Sequence, residues 1–159
     1  MLFCIISGIL KILFAPVAIV GYITAYIAVQ QYKLAKQKVK LELYERRYQI
    51  YEICNDFLLS VIQMHGAGQD RTLKFNLDTK RIPFLFNEDV CNYIQQIRNH
   101  AKELNGLIVD LEMNYKNPPY NNNERVDKLH RQQAIMSWFV DELNTLEKHF
   151  QPYLNLTKL

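Results

Sequence analysis

The longest apolar stretch in the chain lies near its N-terminus. Residues 12–29 read ILFAPVAIVGYITAYIAV, a run of 18 uncharged and mostly apolar residues. A helix needs roughly 20 such residues to cross the hydrocarbon core of a bilayer. The pattern therefore predicts a membrane anchor at residues 1–30 that contains one transmembrane helix.

Two other interpretations of this stretch are open. A shorter apolar run at residues 2–10 is separated from it by Lys11, so a two-pass hairpin is an alternative to a single crossing. A cleaved signal peptide fits less well, because no basic region precedes the apolar run and no small-residue cleavage site follows it. We expect a single crossing, since the first run is too short to span a bilayer alone.

The segment after the anchor, residues 31–42, is rich in lysine. Positive charge beside a transmembrane helix favours the cytoplasmic side of the membrane. We therefore expect the N-terminus outside and the rest of the chain in the cytoplasm, with a basic juxtamembrane stem between them. Four lysines of this stem are expected to contact membrane lipids: Lys33, Lys36, Lys38 and Lys40.

The helix predicted for the anchor has no evident end before residue 65. Neither proline nor glycine occurs between Tyr22 and His65, so we expect the transmembrane helix to continue into the following domain. Residues 66–68, Gly-Ala-Gly, should end it. Before that end, side chains at spacings of four and three form one row for burial: Leu43, Arg47, Ile50, Cys54, Phe57, Val61 and Met64.

Two further amphipathic helices are predicted in the rest of the chain. One begins after Asn87, a good N-cap, and its apolar residues recur at spacings of four and three over residues 90–115. The other begins after Asn123 and carries its apolar row over residues 129–150. Each pattern predicts a helix that buries one face.

The segment between the first two helices is the least regular part. In residues 69–86, Leu73, Phe75 and Leu77 alternate with polar residues. We interpret it as a packed crossover loop with at most one short strand. The expected fold is all-α: an N-terminal transmembrane helix continuous with an up-down-up three-helix bundle at residues 43–159.

Charge is unevenly distributed along the chain. Residues 30–86 carry 10 basic and 6 acidic side chains, a balance of +4, whereas residues 87–159 carry 8 and 10, a balance of −2. The basic charge thus lies next to the predicted membrane, and this argues against binding of duplex DNA. The three cysteines show no CxxC spacing, so we expect reduced thiols rather than disulfides.

No catalytic motif is recognisable in the sequence. The four histidines are scattered, without the paired-histidine spacing of a metal site. A glycine-rich phosphate loop and a nucleophile elbow are also lacking. We therefore expect a non-enzymatic protein without a metal or other cofactor.

A cluster of cationic side chains is the best candidate for a ligand site. With Asn99, the cationic residues Arg98, His100 and Lys102 form a polar cluster opposite the apolar row of the helix that follows Asn87. Guanidinium and ammonium groups bind phosphate well when they are partly exposed, although a solvated helix face explains the same residues. Neighbouring segments add further cations to the candidate set: Lys74, Lys80, Arg81, Arg125, Lys128 and Arg131.

Three blocks of the sequence resemble a widespread group of small bacterial single-pass membrane proteins. They are KVKLELYERRYQIYE at residues 38–52, PFLFNEDVCNYIQQIRNHAKEL at 83–104 and WFVDELNTLEKHFQPYL at 138–154. The blocks cover most of the chain beyond the anchor and occur in the same order as in that group. The resemblance implies this architecture and a place in the bacterial inner membrane, and it implies no reaction or ligand.

The plan of the chain is also similar, more distantly, to membrane effectors of bacterial antiphage systems, including accessory proteins of type III CRISPR loci. In some of these effectors a cytoplasmic domain of similar size binds a cyclic oligonucleotide. The continuous helix and the apolar run before Lys11 favour a sensor or effector whose helical domain binds an anionic ligand or a partner protein and signals to an oligomeric membrane segment. Because one anchor helix cannot line a pore, we expect a homo-oligomer. The alternative is a passive scaffold, anchored to the membrane, that docks another protein.

Overall fold

The computed structural model describes the backbone of residues 2–116 and 122–155, and the side chains of residues 20–113 and 123–155. Over this part of the chain every regular element is a helix, which confirms the all-α prediction. The elements are α1 (Leu2–Gln63), α2 (Gln69–Asp78), a 3₁₀ helix (Thr79–Phe84), α3 (Glu88–Lys116) and α4 (Asn122–Phe150).

The N-terminal unit, Met1–Glu42, consists of the first part of α1 in its described backbone. That backbone is helical throughout, so the turn that a two-pass hairpin needs does not occur in it. No helix among the residues described is both long enough and apolar enough to span a bilayer. The side chains of residues 12–19, which belong to the predicted crossing, lie outside the described part of the chain.

The second unit, Leu43–Leu159, contains the hydrophobic core. α1 contributes the row predicted from its sequence, with Ile50, Cys54, Phe57 and Val61 all buried. Met64, the predicted last member, is 65% exposed. That part of the prediction is wrong, because α1 already ends at Gln63.

The end of α1 is a Schellman motif in which a histidine takes the usual place of glycine. His65 has a positive φ of 51°. Its amide donates to the Ile62 carbonyl at 3.3 Å, and the Gly66 amide donates to the Val61 carbonyl at 3.1 Å. A Cβ on Gly66 would lie 2.9 Å from Cδ1 of Ile108. The glycine is therefore needed for close packing against α3 rather than for the left-handed turn.

The segment predicted to be a crossover loop is helical instead. Phe75, Thr79 and Ile82 are buried at spacings of four and three, which is a helical period. Leu73 and Leu77, which suggested alternation, are 60% and 63% exposed. The loop prediction is wrong because a buried threonine, and not a third apolar residue, continues the row.

Side-chain bonds to the backbone hold the start of α2 against the end of α1. Arg71 donates from Nε to the Ala67 carbonyl at 2.9 Å and from Nη2 to the Gly66 carbonyl at 2.8 Å. Thr72 Oγ1 donates to the Gly68 carbonyl at 2.7 Å. These bonds satisfy the carbonyl groups of the turn and fix the position of α2 relative to the end of α1.

α3 begins where the sequence predicts. Asn87 Oδ1 accepts a hydrogen bond from the Val90 amide at 3.3 Å, which is the geometry of an N-cap. The apolar row is buried from Val90 to Leu104. Tyr115, near its predicted end, lies outside the described side chains.

α4 packs on α3 through two stacked pairs of rings. Tyr93 lies on His149 with ring centres 3.9 Å apart, and His100 lies on Trp138 with ring centres 4.0 Å apart. The helix begins before Asn123, the predicted N-cap, so that prediction is wrong. Four side chains of α4 enter the core: Ile135, Phe139, Leu146 and Phe150.

Aromatic rings also join the other elements. Phe57 of α1 stacks on Phe75 of α2 with ring centres 4.1 Å apart, and Phe86 packs edge-on against Phe150 at 5.4 Å. Cys54 lies fully buried beside this cluster as a free thiol. Burial raises the pKa of its thiol, although the positive charge of Arg98 acts in the opposite direction.

Candidate anion-binding groove

A groove between α2 and α3, called here the α2–α3 groove, has a volume of about 700 Å³. Small-molecule sites commonly have volumes of about 300–1,000 Å³. Leu73 and Val109 are apolar parts of its lining, and most of the remainder is polar. The polar lining consists of Gln69, Thr72, Asn76, Gln95, Arg98, Asn99, Lys102, Asn105 and Asp110.

Arg98 connects the groove to the 3₁₀ helix. Its Nη2 donates to Thr79 Oγ1 at 2.7 Å and to the Thr79 carbonyl at 3.3 Å, and its Nη1 donates to Gln95 Oε1 at 3.4 Å. Its Nε is buried and has no hydrogen-bond acceptor among the described residues. The guanidinium is therefore held in place by protein groups while one of its donors stays unsatisfied.

Lys102 provides the second positive charge of the groove. Its side chain is exposed, and within the described residues it forms neither a salt bridge nor a hydrogen bond. The carboxylate in the lining, Asp110, lies 3.6 Å from the ammonium group of Lys128. The charges that line the groove therefore favour an anion over a cation.

Amide side chains surround the two cations. Gln95 Nε2 donates to Asn99 Oδ1 at 3.1 Å, and Asn105 Nδ2 donates to Thr72 Oγ1 at 3.1 Å. The second bond crosses from α3 to α2 and fixes one wall against the other. Amides donate and accept hydrogen bonds at once, so they suit a ligand with mixed polar edges.

His100, predicted as a ligand residue, lies outside the lining of this groove. Its ring stacks on Trp138, and its Nδ1 hydrogen-bonds to the Gln96 carbonyl at 3.0 Å. The imidazole is half-buried between α3 and α4. The structure therefore places it in the packing of the two helices.

The predicted cations of α4 are engaged in salt bridges or lie elsewhere. Arg131 donates from Nε and Nη2 to both carboxylate oxygens of Glu103, at 2.6 and 3.0 Å. This hydrogen bond holds the pKa of the Glu103 carboxyl below its ordinary value. Lys128 lies 2.9 Å from Glu124, and Arg125 is exposed and not part of the groove lining.

The cations of α2 and the 3₁₀ helix lie in three other cavities. Lys80 lines a cavity of about 390 Å³ whose lining also includes Arg98. Lys74 lines one of about 210 Å³ together with two carboxylates. Arg81 lines one of about 610 Å³ between α1 and the 3₁₀ helix, called here the α1 groove, together with Arg46. The candidate set is thus divided, with Arg98 shared between two cavities.

The lysines predicted to contact lipid belong to the N-terminal unit. Lys33, Lys36 and Lys38 are exposed, and Lys40 is half-buried. Among the described residues, no group of three or more His, Cys, Asp or Glu side chains could hold a metal ion.

Among the amides of the groove, the sequence pattern pointed to Asn99 and not to the others. On α3 a signal is present, because Gln95, Arg98, Lys102 and Asn105 recur at spacings of three and four. On α2 no such signal could be used, since residues 69–86 were interpreted as a loop.

Comparisons with known proteins give no assignment for this fold or groove. No protein-family model, curated protein or solved structure matches the chain. The resemblance to small bacterial membrane proteins therefore stays a prediction from the three sequence blocks, and the more distant likeness to antiphage effectors stays a prediction from the plan of the chain.

Proposed function

We propose that the chain is a membrane-anchored, non-enzymatic sensor or effector that binds an anionic ligand in the α2–α3 groove. In this proposal residues 1–30 anchor the chain in a bacterial inner membrane. The up-down-up arrangement of α1, α3 and α4 forms the cytoplasmic domain, and α2 packs against α3. The observation that carries the proposal is the meeting of Arg98 and Lys102 in an amide-rich groove.

The state of Arg98 supports an anion as the ligand. Its Nε is closed to solvent, but its Nη1 lies at an exposed bond to Gln95, so a ligand oxygen in the groove would pair with Nη1. Lys102 would supply a second charge-assisted bond. Phosphate oxygens suit both groups.

The amides support a ligand that carries polar ring edges as well as phosphate. Asn and Gln side chains pair with the donor and acceptor edges of nucleobases. A nucleotide combines such edges with a phosphate. Because of the distant likeness to antiphage effectors, cyclic oligonucleotides are the first class to test.

A thermal-shift experiment on the full-length chain tests this proposal. The panel contains inorganic phosphate, mononucleotides and cyclic oligonucleotides. A ligand at a hundred times its Kd stabilises the folded state by about 2.7 kcal/mol, so Tm rises. We expect at least one nucleotide to raise Tm and to be recovered unchanged after incubation. A flat response to the whole panel contradicts ligand binding, and a converted nucleotide contradicts the non-enzymatic role.

The alternative function is a passive scaffold, and the α1 groove favours it. Phe84 at its edge is 87% exposed and Leu77 is 63% exposed. Phenylalanine and arginine are both enriched at protein interfaces. A partner protein could therefore dock here without any ligand.

Replacing the anchor separates the two functions. The sensor is proposed to signal to its own oligomeric membrane segment and to open the membrane there. Exchange of residues 1–30 for an unrelated transmembrane helix should therefore abolish a nucleotide-induced leak of dye from vesicles. The scaffold requires only attachment, and it predicts no nucleotide-induced leak with either anchor. Partner capture that depends on Phe84 and survives the exchange would favour the scaffold.

A further inference from the structure

The α2–α3 groove continues into a second cavity along α3. This cavity of about 390 Å³ lies between the 3₁₀ helix and the first part of α3, and it is called here the Lys80 cavity. Three residues line both cavities: Asn76, Gln95 and Arg98. Together the two linings follow α3 from Cys91 to Asp110, which is roughly 28 Å at the rise of an α-helix. The shared residues therefore join the two cavities into one elongated site.

Charge in the Lys80 cavity favours an anion as well. Its lining in the described part of the chain contains two cations, Lys80 and Arg98, and no carboxylate. Lys80 is exposed, and among the described residues it forms neither a salt bridge nor a hydrogen bond. An anion in this cavity would therefore meet a cation that has no competing protein partner there.

The same kinds of side chain occur in both cavities. Beside Lys80 lie the amide of Asn92 and the exposed ring of Pro83, and beside Lys102 lie the amide of Asn99 and the exposed Leu73. A nucleotide uses all three kinds: a cation for its phosphate, an amide for the polar edge of its base and an apolar surface for the ring face. A set of side chains that occurs twice along one groove fits a ligand whose chemical unit is repeated.

We propose that the two cavities together bind an oligonucleotide with at least two phosphate groups, one held by Arg98 and Lys102 and another by Lys80. This ligand class deepens the proposed function and rests on it. Arg98 and Lys102 are four residues apart on α3, so they face the same side of the helix. Arg98 Nη2 is held by Thr79, whereas Nη1 makes only a long bond of 3.4 Å to Gln95 and can donate to a phosphate. A mononucleotide has its phosphate at one end only and can fill only one cavity.

Calorimetry on the full-length chain tests the elongated site. It compares each common nucleoside monophosphate with the 5′-phosphorylated dinucleotide of the same base. We expect one dinucleotide to bind about tenfold or more tightly than its monophosphate, because its second phosphate gains a charge-assisted bond to Lys80. Lys80→Met should abolish this advantage and Lys80→Arg should keep it. Lys74→Met is the matched control, because Lys74 is an exposed lysine outside both linings, and this variant should bind the dinucleotide like the parent.

The outcomes separate the elongated site from the ligand groove itself. Dinucleotide binding that is weakened in Lys102→Met and unchanged in Lys80→Met overturns the elongated site and leaves the α2–α3 groove as a site for one nucleotide. Equal affinity for the dinucleotide and its monophosphate has the same meaning. Tripolyphosphate carries several phosphates and no base, so binding as tight as that of the dinucleotide overturns the oligonucleotide as the ligand class. Absence of binding to every nucleotide rejects the proposed function together with this extension.

Discussion

At the scale of single residues, the connection between α1 and α2 shows how local geometry decides residue identity. His65 adopts the left-handed conformation, which costs a non-glycine residue roughly 1–2 kcal/mol. Gly66 has no such need, and it is required because Ile108 lies against it. The two neighbours therefore respond in opposite ways to substitution.

Replacing His65 with glycine should stabilise the protein by about 0.5–1 kcal/mol, since relief of the left-handed strain exceeds the added entropy of the unfolded chain. Urea denaturation of the full-length protein measures the change. Gln63→Gly, at the last helical position, is the control and should destabilise by roughly 0.5–1 kcal/mol. A loss of stability in His65→Gly would contradict the Schellman geometry.

Gly66→Ala should destabilise the protein, because the new methyl group meets Ile108 Cδ1. Overpacking of this kind costs roughly 1–3 kcal/mol. Ile108→Val removes that atom, and it should recover part of the loss in the double variant. Strict additivity of the two substitutions would show that the methyl group is accommodated in another way.

At the scale of elements, regular apolar rows predicted helices well and mixed rows did not. The row of α3 was found because nothing polar interrupts it from Val90 to Leu104. α2 and the 3₁₀ helix were missed, because only Phe75 and Ile82 are apolar in their buried row. Thr79 completes that row, because its Oγ1 donates to the Phe75 carbonyl and accepts from Arg98 Nη2. Such a role cannot be recognised before the partners are known.

Phe75→Ala should destabilise the protein by about 3–5 kcal/mol, as expected for a buried phenylalanine. Its ring is 2% exposed and stacks on Phe57. Leu73→Ala and Leu77→Ala serve as controls, and each should change stability by less than about 0.5 kcal/mol. Chemical denaturation compares the three variants. Similar losses of stability in all three variants would contradict the helix and favour a loop in which Leu73 and Leu77 are also buried.

The salt bridge between Glu103 and Arg131 should contribute to stability at neutral pH and not in acid. Arg131 holds the pKa of Glu103 below its ordinary value of 4.5. The contribution is therefore present above that value and is lost as the pH falls through the lower, folded-state pKa. A double-mutant cycle with Glu103→Gln and Arg131→Met at several pH values measures it. A coupling that persists below the folded-state pKa would contradict this assignment.

At the scale of the whole molecule, the proposed function requires a membrane anchor and a helical domain whose α2–α3 groove binds an anion. The sequence predicted the helical class and two of the groove cations, Arg98 and Lys102. It could not predict the division of the other cations, because salt bridges such as that of Arg131 depend on how α3 and α4 pack. The groove also requires α2 as its second wall, and the sequence pattern did not predict a helix there.

A calorimetric titration distinguishes the α2–α3 groove from the rest of the surface as the site where an anion binds. Calorimetry on the full-length chain compares the Kd for the best nucleotide of the thermal-shift panel between the parent, Lys102→Met and Lys148→Met. Loss of a charge-assisted hydrogen bond should weaken binding by about tenfold or more in Lys102→Met. Lys148→Met, an exposed lysine of α4, should bind like the parent. Equal affinity in all three proteins would contradict the groove as the binding site.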